Sequence, residues 1–342
     1  MPSIADVAKT AGVSITTVSR VLNNDSHPVN EKTRARVLLA AKELGFVPSA
    51  LARALAKDKT NIIGVIVGDA SDPYFAPIVR GISDVARENG FLTVVCNSDR
   101  IAETTLHYVQ LLRDYHADGI IFAGGGLIDP LYNNQLQALL TQLSERHEPV
   151  VVLGQHSFEA PAVTINNRLA AQEMTEYLIA LGHEHIGFIA GPASLTTSAI
   201  RADGYRQALI NANIPFDPAL VLESDFTYEN GMEIADHILT LHPRPTAIFG
   251  SNDITAIGCL VRLKQRGISI PQQMSVVGFD DIAATQFVDP ALTTIRVPMR
   301  EMGMLCMEKL LCAINNEPIE SLYLLPHELV VRASATPPGK RD

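Results

Sequence analysis

The sequence predicts an α/β protein: an N-terminal three-helix head containing a helix-turn-helix, followed by a two-lobed parallel α/β body. Three observations predict it. Apolar residues recur at helical spacing in three short segments before residue 47. Beyond residue 60, strand-length apolar runs alternate with helix-length amphipathic segments, the pattern of a parallel sheet with right-handed crossovers. The charge is divided between the two regions. Residues 1–60 carry nine Lys/Arg against five Asp/Glu and net +4, while the remainder nets −14 within a total of −10. An acidic body is repelled by phosphate, so any contact with nucleic acid falls to the basic head.

Composition narrows the class further. The chain has 342 residues, 47% of them apolar and 19% charged, enough apolar material for a core and too much for a disordered chain. No apolar run approaches the roughly 18 residues of a membrane-spanning helix, so no membrane partner is expected. The first residues lack a basic flank and an apolar stretch, and Cys96, Cys259, Cys306 and Cys312 form no CxxC pair. Both features predict a cytoplasmic protein with neither a disulfide framework nor a zinc site.

The head reads element by element. Ser3-Ile4-Ala5-Asp6 is a capping-box start, and Ile4, Val7, Ala8 and Ala11 share one helical face. Gly12 ends that helix and Ser14 opens the next, from about residue 15 to 23. Val18, Val21 and Leu22 face inward, with Thr16, Arg20 and Asn23 on the opposite side. Two short helices joined by a Gly-containing turn form a helix-turn-helix, whose second helix fits the DNA major groove. There an Arg can pair with a guanine edge, and short hydroxyls at the helix start can reach phosphate. The same pattern also suits a helical hairpin with a solvated polar face. A third helix, residues 31–44, completes the core with Val37, Leu38, Ala41 and Leu44. Next, Pro48-Ser49-Ala50-Leu51-Ala52-Arg53-Ala54-Leu55 reads either as a helical linker or as a hinge that folds on DNA. In the second case Leu55 is an apolar wedge for the minor groove.

These residues carry a family resemblance. Ile4-Ala5-Asp6-Val7-Ala8, Ala11-Gly12-Val13-Ser14, Thr17-Val18-Ser19-Arg20-Val21-Leu22-Asn23 and the segment from Pro48 to Leu55 together resemble the head and hinge of the LacI/GalR family of bacterial repressors. Thr16 and Arg20 are the candidates for base edges, and Ser14, Thr17 and Asn23 for phosphates. Ile15 sits at core spacing, yet the resemblance implies a contact with bases.

In the body, residues 61–67 read as a buried parallel strand. Further strands are expected at 92–96, 119–122, 150–153, 186–190, 247–250 and 275–279. Helices are expected at 76–89, 104–115, 131–146, 169–181, 199–211, 230–241 and 255–266. A strand at 292–297, a helix at 300–315 and a last strand at 322–331 are expected to cross back between lobes. Two series of this kind put a ligand cleft at the carboxyl ends of the strands. The body resembles the type I periplasmic-binding-protein fold that the family uses as its sensor, so the resemblance covers nearly the whole chain. The expected division is a helix-turn-helix domain at 1–46, a hinge and linker at 47–60, and an effector-binding and dimerisation domain at 61–342. Within the last, lobe one spans about 61–160 and 292–321, and lobe two about 161–291 and 322–334.

The resemblance also implies the cleft residues. Asp72-Pro73-Tyr74-Phe75 is similar to the family's Asn-Pro-Phe-Phe segment, which makes Tyr74 and Phe75 candidates for stacking on a ring, although they also suit core aromatics opening a helix. Arg201, Phe226, Asn252 and Asp280 match family positions that contact ligand, and Gly154-Gln155-His156 stands where many sugar sensors carry an Asp-Arg or Asp-Trp pair, with Gln155 the candidate to face the ligand. An Arg, an Asn and an Asp between aromatic walls suit a polyol ring, so the expected effector is a sugar or sugar derivative, with a nucleoside as the alternative. Leu195-Thr196-Thr197 stands where the purine-sensing branch has an Arg, which argues against a purine.

Other readings are weaker. Asp280 and Asp281 are adjacent and point apart, a poor acid/base pair, so no enzyme is expected. His183 and His185 lack a third ligand, so no metal is expected, and no cofactor is implied. Gly124-Gly125-Gly126 follows a strand without phosphate-binding spacing and reads as a flexible loop. The rival reading is a binding or transport protein with the same body, against which stands the basic head. The expected function is thus a DNA-binding repressor, a homodimer on a pseudo-palindromic operator, controlled by a small molecule. The Pro-rich tail is too short for a tetramerising helix.

Overall fold

In the computed structural model the described residues are 2–22, 27, 29–46 and 59–339. The chain divides into two compact units, residues 1–61 with 116–118 and residues 62–115 with 119–342.

The first unit holds α1 (Ile4–Ala11), α2 (Ile15–Leu22) and α3 (Glu31–Glu43). The capping box closes α1: the Asp6 amide donates to Ser3 Oγ at 3.3 Å, and the Ser3 amide donates to Asp6 Oδ2 at 2.8 Å. Those bonds from Ser3 hold the Asp6 carboxyl below its usual range. Gly12 at φ +64° ends α1 in the left-handed region. Ser14 then caps α2 by accepting from the Thr17 amide at 3.2 Å. Val7, Ala8, Ala11, Val18, Val21, Val37, Ala40 and Ala41 form the core, with Leu22 and Leu44 against it. Leu38, expected inside, is 49% exposed, and Ala40 takes the inward position. Val37, Ala40, Ala41 and Leu44 follow the i, i+3, i+4, i+7 spacing of one helical face, and Leu38 falls outside it. The proposed hinge, residues 47–58, lies outside the described residues.

The second unit alternates strand and helix: β1 (Ile62–Val67), α4 (Phe75–Glu88), β2 (Leu92–Asn97), α5 (Ala102–Asp114), β3 (Gly119–Ala123), α6 (Pro130–Glu145), β4 (Val150–Leu153) and β5 (Ala162–Ile165). It continues with α7 (Asn167–Ala180), β6 (Ile186–Ala190), α8 (Thr196–Asn211), β7 (Val221–Glu223), α9 (Tyr228–Ile238), β8 (Ala247–Gly250), α10 (Asp253–Gln265) and β9 (Ser275–Val277). The closing elements are β10 (Thr294–Arg296), α11 (Met299–Ile314), β11 (Leu322–Leu325) and β12 (Glu328–Val330). One parallel sheet has the order β11-β5-β4-β3-β1-β2, a second has β7-β6-β8-β9, and β10 pairs antiparallel with β12. Each parallel sheet is the floor of one lobe.

Three expectations need correction. The expected lobe division put residues from 161 onward and 322–334 in lobe two, but β5 and β11 both pair in the first sheet. The expected strand at 322–331 is two strands, β11 in the first sheet and β12 against β10. Pro326 supplies no amide donor and separates them. The strands β5 and β7 are additions to the expected set: Thr164 and Glu223 interrupt their apolar runs, whereas the similarly short β4 and β8 are apolar throughout. The chain therefore passes between lobes after β5, between β9 and α11, and between β11 and β12.

Close packing of α4 on α11 sets the shape of lobe one. A Cβ on Gly81 would lie 2.2 Å from the Arg300 carbonyl oxygen, and one on Gly303 would lie 2.2 Å from that of Ile78. Backbone cannot yield as a flexible side chain can, so each helix needs its glycine where they cross. Gly81→Ala should destabilise the protein by about 1–3 kcal/mol, with Gly303→Ala similar, read as the shift in urea unfolding midpoint.

Candidate functional site

Two candidate sites emerge, one in each unit. In the head, α2 turns its apolar side inward and presents its polar side outward. Thr16 is exposed, Thr17 and Arg20 are half-buried, and Ser14 is exposed at the helix start. Ile15 is 52% exposed, so it lies off the core despite its spacing. The Ser14 and Thr17 hydroxyls share a hydrogen bond of 2.9 Å at the N-terminus of α2, where unpaired amides and the helix dipole favour anions. Asn23 and Leu55 lie outside the described residues.

In the body, a cavity of about 100 Å³ opens between the ends of the two parallel sheets. Tyr74, Phe75, Arg201, Phe226, Asn252 and Asp280 all line it. Gln155 does not: it is exposed, and its carbonyl oxygen accepts from the Gly126 amide at 3.0 Å. Its neighbour His156 faces the cavity instead, with Nε2 2.9 Å from the Gly124 carbonyl oxygen. The sharp turn after β4, with Gly154 at φ +83°, decides which of the two points inward. Burial pushes the His156 imidazole down to about 4, so it is neutral near pH 7.

The polar centre is Arg201 on α8 with Asp280 after β9. The Arg201 Nη2 to Asp280 Oδ1 distance is 3.3 Å, with both side chains almost fully buried. Arg201 also donates to the Ser251 carbonyl at 2.5 Å and to Asn167 Oδ1 at 3.0 Å. Its guanidinium carbon stands over the Phe279 ring, 3.6 Å from the centroid. Four interactions thus lock the fork in place. Asp280 has a left-handed backbone, φ +117°, which turns its carboxylate into the cavity. Burial raises its pKa to about 7; Arg201 pulls it down and Asp72 adds to the rise.

Around this pair, Asn252 uses Oδ1 to cap α10, accepting from the Thr255 amide at 3.3 Å, which leaves Nδ2 toward the Phe226 carbonyl and the cavity. Phe226, at φ +69°, fits only because position 191 is glycine, since a Cβ there would meet the ring at 1.9 Å. Tyr74 and Phe75 pack edge to face at the start of α4 with centroids 5.2 Å apart. Phe75 is buried, so the core reading and the cavity reading hold together for it.

Sequence reasoning missed a second ion pair in the cavity wall. Arg100 Nη2 lies 3.2 Å from Asp72 Oδ2, and its guanidinium stands 5.7 Å from the centroid of Phe226. Burial raises the Asp72 carboxyl against the pull of the Tyr74 amide and Arg100. The residues 98–101 carry no helical or strand period, and Asp99 and Arg100 both have positive φ, so nothing in the local pattern announces where Arg100 points. Tyr132, Thr105, Ser98 and Phe122 complete the polar and aromatic walls. Among the described residues, no group of three His, Cys, Asp or Glu could hold a metal ion, and no helix is long and apolar enough to cross a membrane.

The Asp280 carboxyl gives a pH prediction. Its pKa in the folded state stands above the unfolded value, so the folded state binds the extra proton and loses stability as pH rises from about 4 to about 7. Asp280→Asn cannot titrate. The stability difference, wild type minus variant, should fall over that interval by up to about 4 kcal/mol. Urea unfolding at a series of pH values measures it, and a flat difference contradicts the assignment.

Comparison with known proteins covers both sites. Residues 3–49 match the family described as bacterial regulatory proteins, lacI family, and residues 60–331 match periplasmic binding proteins and sugar binding domain of LacI family. The chain is 34% identical over 341 residues to the HTH-type transcriptional regulator DegA of Bacillus subtilis, covering 98% of each chain. It is 35% identical over 336 residues to the HTH-type transcriptional repressor CytR of Escherichia coli, covering 97% of this chain and 96% of that one. Among solved structures it resembles a Lac repressor dimer bound to operator and the anti-inducer ONPF, with 28% identity, a TM-score of 0.86, and coverage of 98% and 99%. It also resembles the transcriptional regulator CelR–cellobiose complex, with 30% identity, a TM-score of 0.73, and coverage of 98% and 100%.

Proposed function

The chain belongs to the LacI family of bacterial regulatory proteins, and from that premise we propose a sequence-specific transcriptional repressor whose operator affinity is set by a sugar bound in the body cavity. The observation that carries this reading is one chain holding both parts: a helix with an exposed polar face in a basic head, and a polar, aromatic-walled cavity between two lobes.

The head reads DNA through α2. Thr16 and Arg20 meet base edges, and Ile15 offers its exposed apolar surface to a thymine methyl group. Ser14 and Thr17 hold phosphate at the helix start, joined by Asn23. Leu55 enters the minor groove at the centre of the site and favours a flexible pyrimidine–purine step there. A homodimer places two such helices on the half-sites of a pseudo-palindrome. The edge strand β2 leaves Leu92, Val94 and Val95 exposed in the single chain, apolar area of the kind a second copy covers.

The cavity chemistry supports a neutral polyol. Its two carboxylates, Asp72 and Asp280, each already face an arginine, so the wall is nearly balanced in charge and still rich in donors and acceptors. Tyr74, Phe75 and Phe226 supply faces for a ring, and Arg201, Asn252, Asp280 and His156 supply directional bonds, with Gln155 at the rim. Relatives of known structure carry cellobiose and ribose. The protein acts in the cytoplasm, and the cavity binds without transforming its ligand, as expected of relatives that are regulators. A coupling of about 1–3 kcal/mol between cavity and operator is enough to switch occupancy.

Selection of genomic fragments by the purified protein at physiological salt, followed by sequencing, tests this function. Enrichment of a pseudo-palindrome is expected, and a fraction of the metabolite pool should shift its affinity. Enrichment of bulk DNA alone, with or without metabolites, overturns the proposal. With the operator in hand, Arg20→Ala should relax base preference at one position per half-site at a cost of roughly 1–3 kcal/mol. Arg201→Lys, which keeps the charge and loses the planar fork, should keep operator binding and lose most of the metabolite response.

A further inference from the structure

The triple glycine after β3 is not the slack loop its composition suggests. It lies against the first residues of α8, which belong to the other lobe. The Thr196 amide donates to the Gly126 carbonyl at 2.9 Å, and the Ile128 amide donates to the Ser194 carbonyl at 2.7 Å. Leu127 and Leu195 form an isolated antiparallel bridge between these bonds. The Gln155 carbonyl oxygen accepts twice, from the Gly126 amide of its own lobe and from the Thr196 hydroxyl of the other at 2.6 Å. Two loops from different sheets thus join as a miniature antiparallel ladder at the cavity, which Gly124, Gly125, Gly126, Leu127, Leu195 and Thr197 all line.

The approach requires glycine. A Cβ on Gly125 would stand 2.2 Å from the Thr197 hydroxyl oxygen and 3.2 Å from the Thr197 Cβ. One on Gly126 would stand 2.9 Å from His156 Nδ1 and 3.0 Å from its Cα, and Gly124 has φ +110°. We propose that residues 124–128 and 194–197 are the closing latch of the cleft, a backbone clasp that forms when the lobes come together over the effector and parts when they separate. Every donor and acceptor in it can turn to water on opening, so the clasp exchanges one set of bonds for another and can work reversibly. The glycines make closure possible rather than making the loop loose. The proposal rests on the cavity being the effector site, because only then does closure bear on the operator.

Disulfide trapping tests it in the full-length protein. Opposed residues of an antiparallel bridge lie within the separation a disulfide accepts, so Leu127→Cys with Leu195→Cys should cross-link on mild oxidation. The reading is intact mass without reductant, with each single variant as control for the four native cysteines. Gly125→Ala should slow cross-linking at least about tenfold by holding the thiols apart. Gly125→Ala with Thr197→Ala removes the 2.2 Å clash and should recover most of that rate, which a misfolded protein would not do. Thr196→Val, which deletes only the hydroxyl bond, should slow it by about threefold. Equal rates with and without Gly125→Ala, or no cross-link in a protein with native circular dichroism, overturn the latch. The selected operator supplies the second reading: locked and reduced proteins should differ in affinity by about fivefold or more. A latch that responds to Gly125→Ala while operator affinity stays the same in both states contradicts the role given to the cavity, and leaves the latch standing.

Discussion

The body is organised around a buried guanidinium. Removing a guanidinium from water is costly unless its hydrogen-bonding edges find partners. Here Asp280 faces one edge, the Ser251 carbonyl and Asn167 another, and the Phe279 ring lies beneath. These partners come from the start of α7, the end of β8 and the segment after β9. The pair therefore assembles only when those three segments are in place. Both members of the pair line the cavity, so their fixed position sets where its polar centre lies.

Backbone conformation separates two adjacent carboxylates into different tasks. Asp280 and Asp281 both have positive φ, at +117° and +59°, so the chain turns sharply between them. Asp280 faces the cavity with a raised pKa. For Asp281 burial alone would raise the pKa, yet Arg332 at 2.6 Å and Arg296 at 2.8 Å outweigh it and hold the carboxyl low. Arg296 also reaches Glu328, so Asp281 ties together segments that run between the lobes. Asp253 lies behind them, fully buried, accepting from the Ile282 amide at 2.9 Å and the Thr294 hydroxyl at 2.6 Å. Burial and the nearby Asp280 charge push its pKa well up. The cavity-facing residue is thus one peptide bond from the residue that holds the crossing segments.

What was legible depended on the range of the interaction. Both ends of α1 and the start of α2 were readable nearly to the residue, since a capping box, a Gly stop and a Ser cap act within four positions. The strand β1 was readable as an unbroken apolar run, and helices such as α4 because their apolar period repeats over several turns. The strands β5 and β7 and the split between β11 and β12 were not, because Thr164 and Glu223 interrupt the short apolar runs and the pairing partners lie far away in sequence. In the cavity, Arg201, Asn252 and Asp280 were found through family resemblance, whereas Arg100 was missed and Gln155 was chosen over His156. Each of those two errors turns on a left-handed residue in a loop, where the direction of a side chain follows from tertiary closure.

The amino-acid order alone settled the fold class, the helix-turn-helix and the division of charge between a basic head and an acidic body, all of which follow from local spacing and composition. The tertiary structure decided which lobe owns β5 and β11, which of two neighbours faces the cavity, and why three glycines stand together after β3. Such outcomes depend on distances between residues tens of positions apart. Composition gives glycine two opposite meanings, freedom or close approach, and only the helix packed against it distinguishes them.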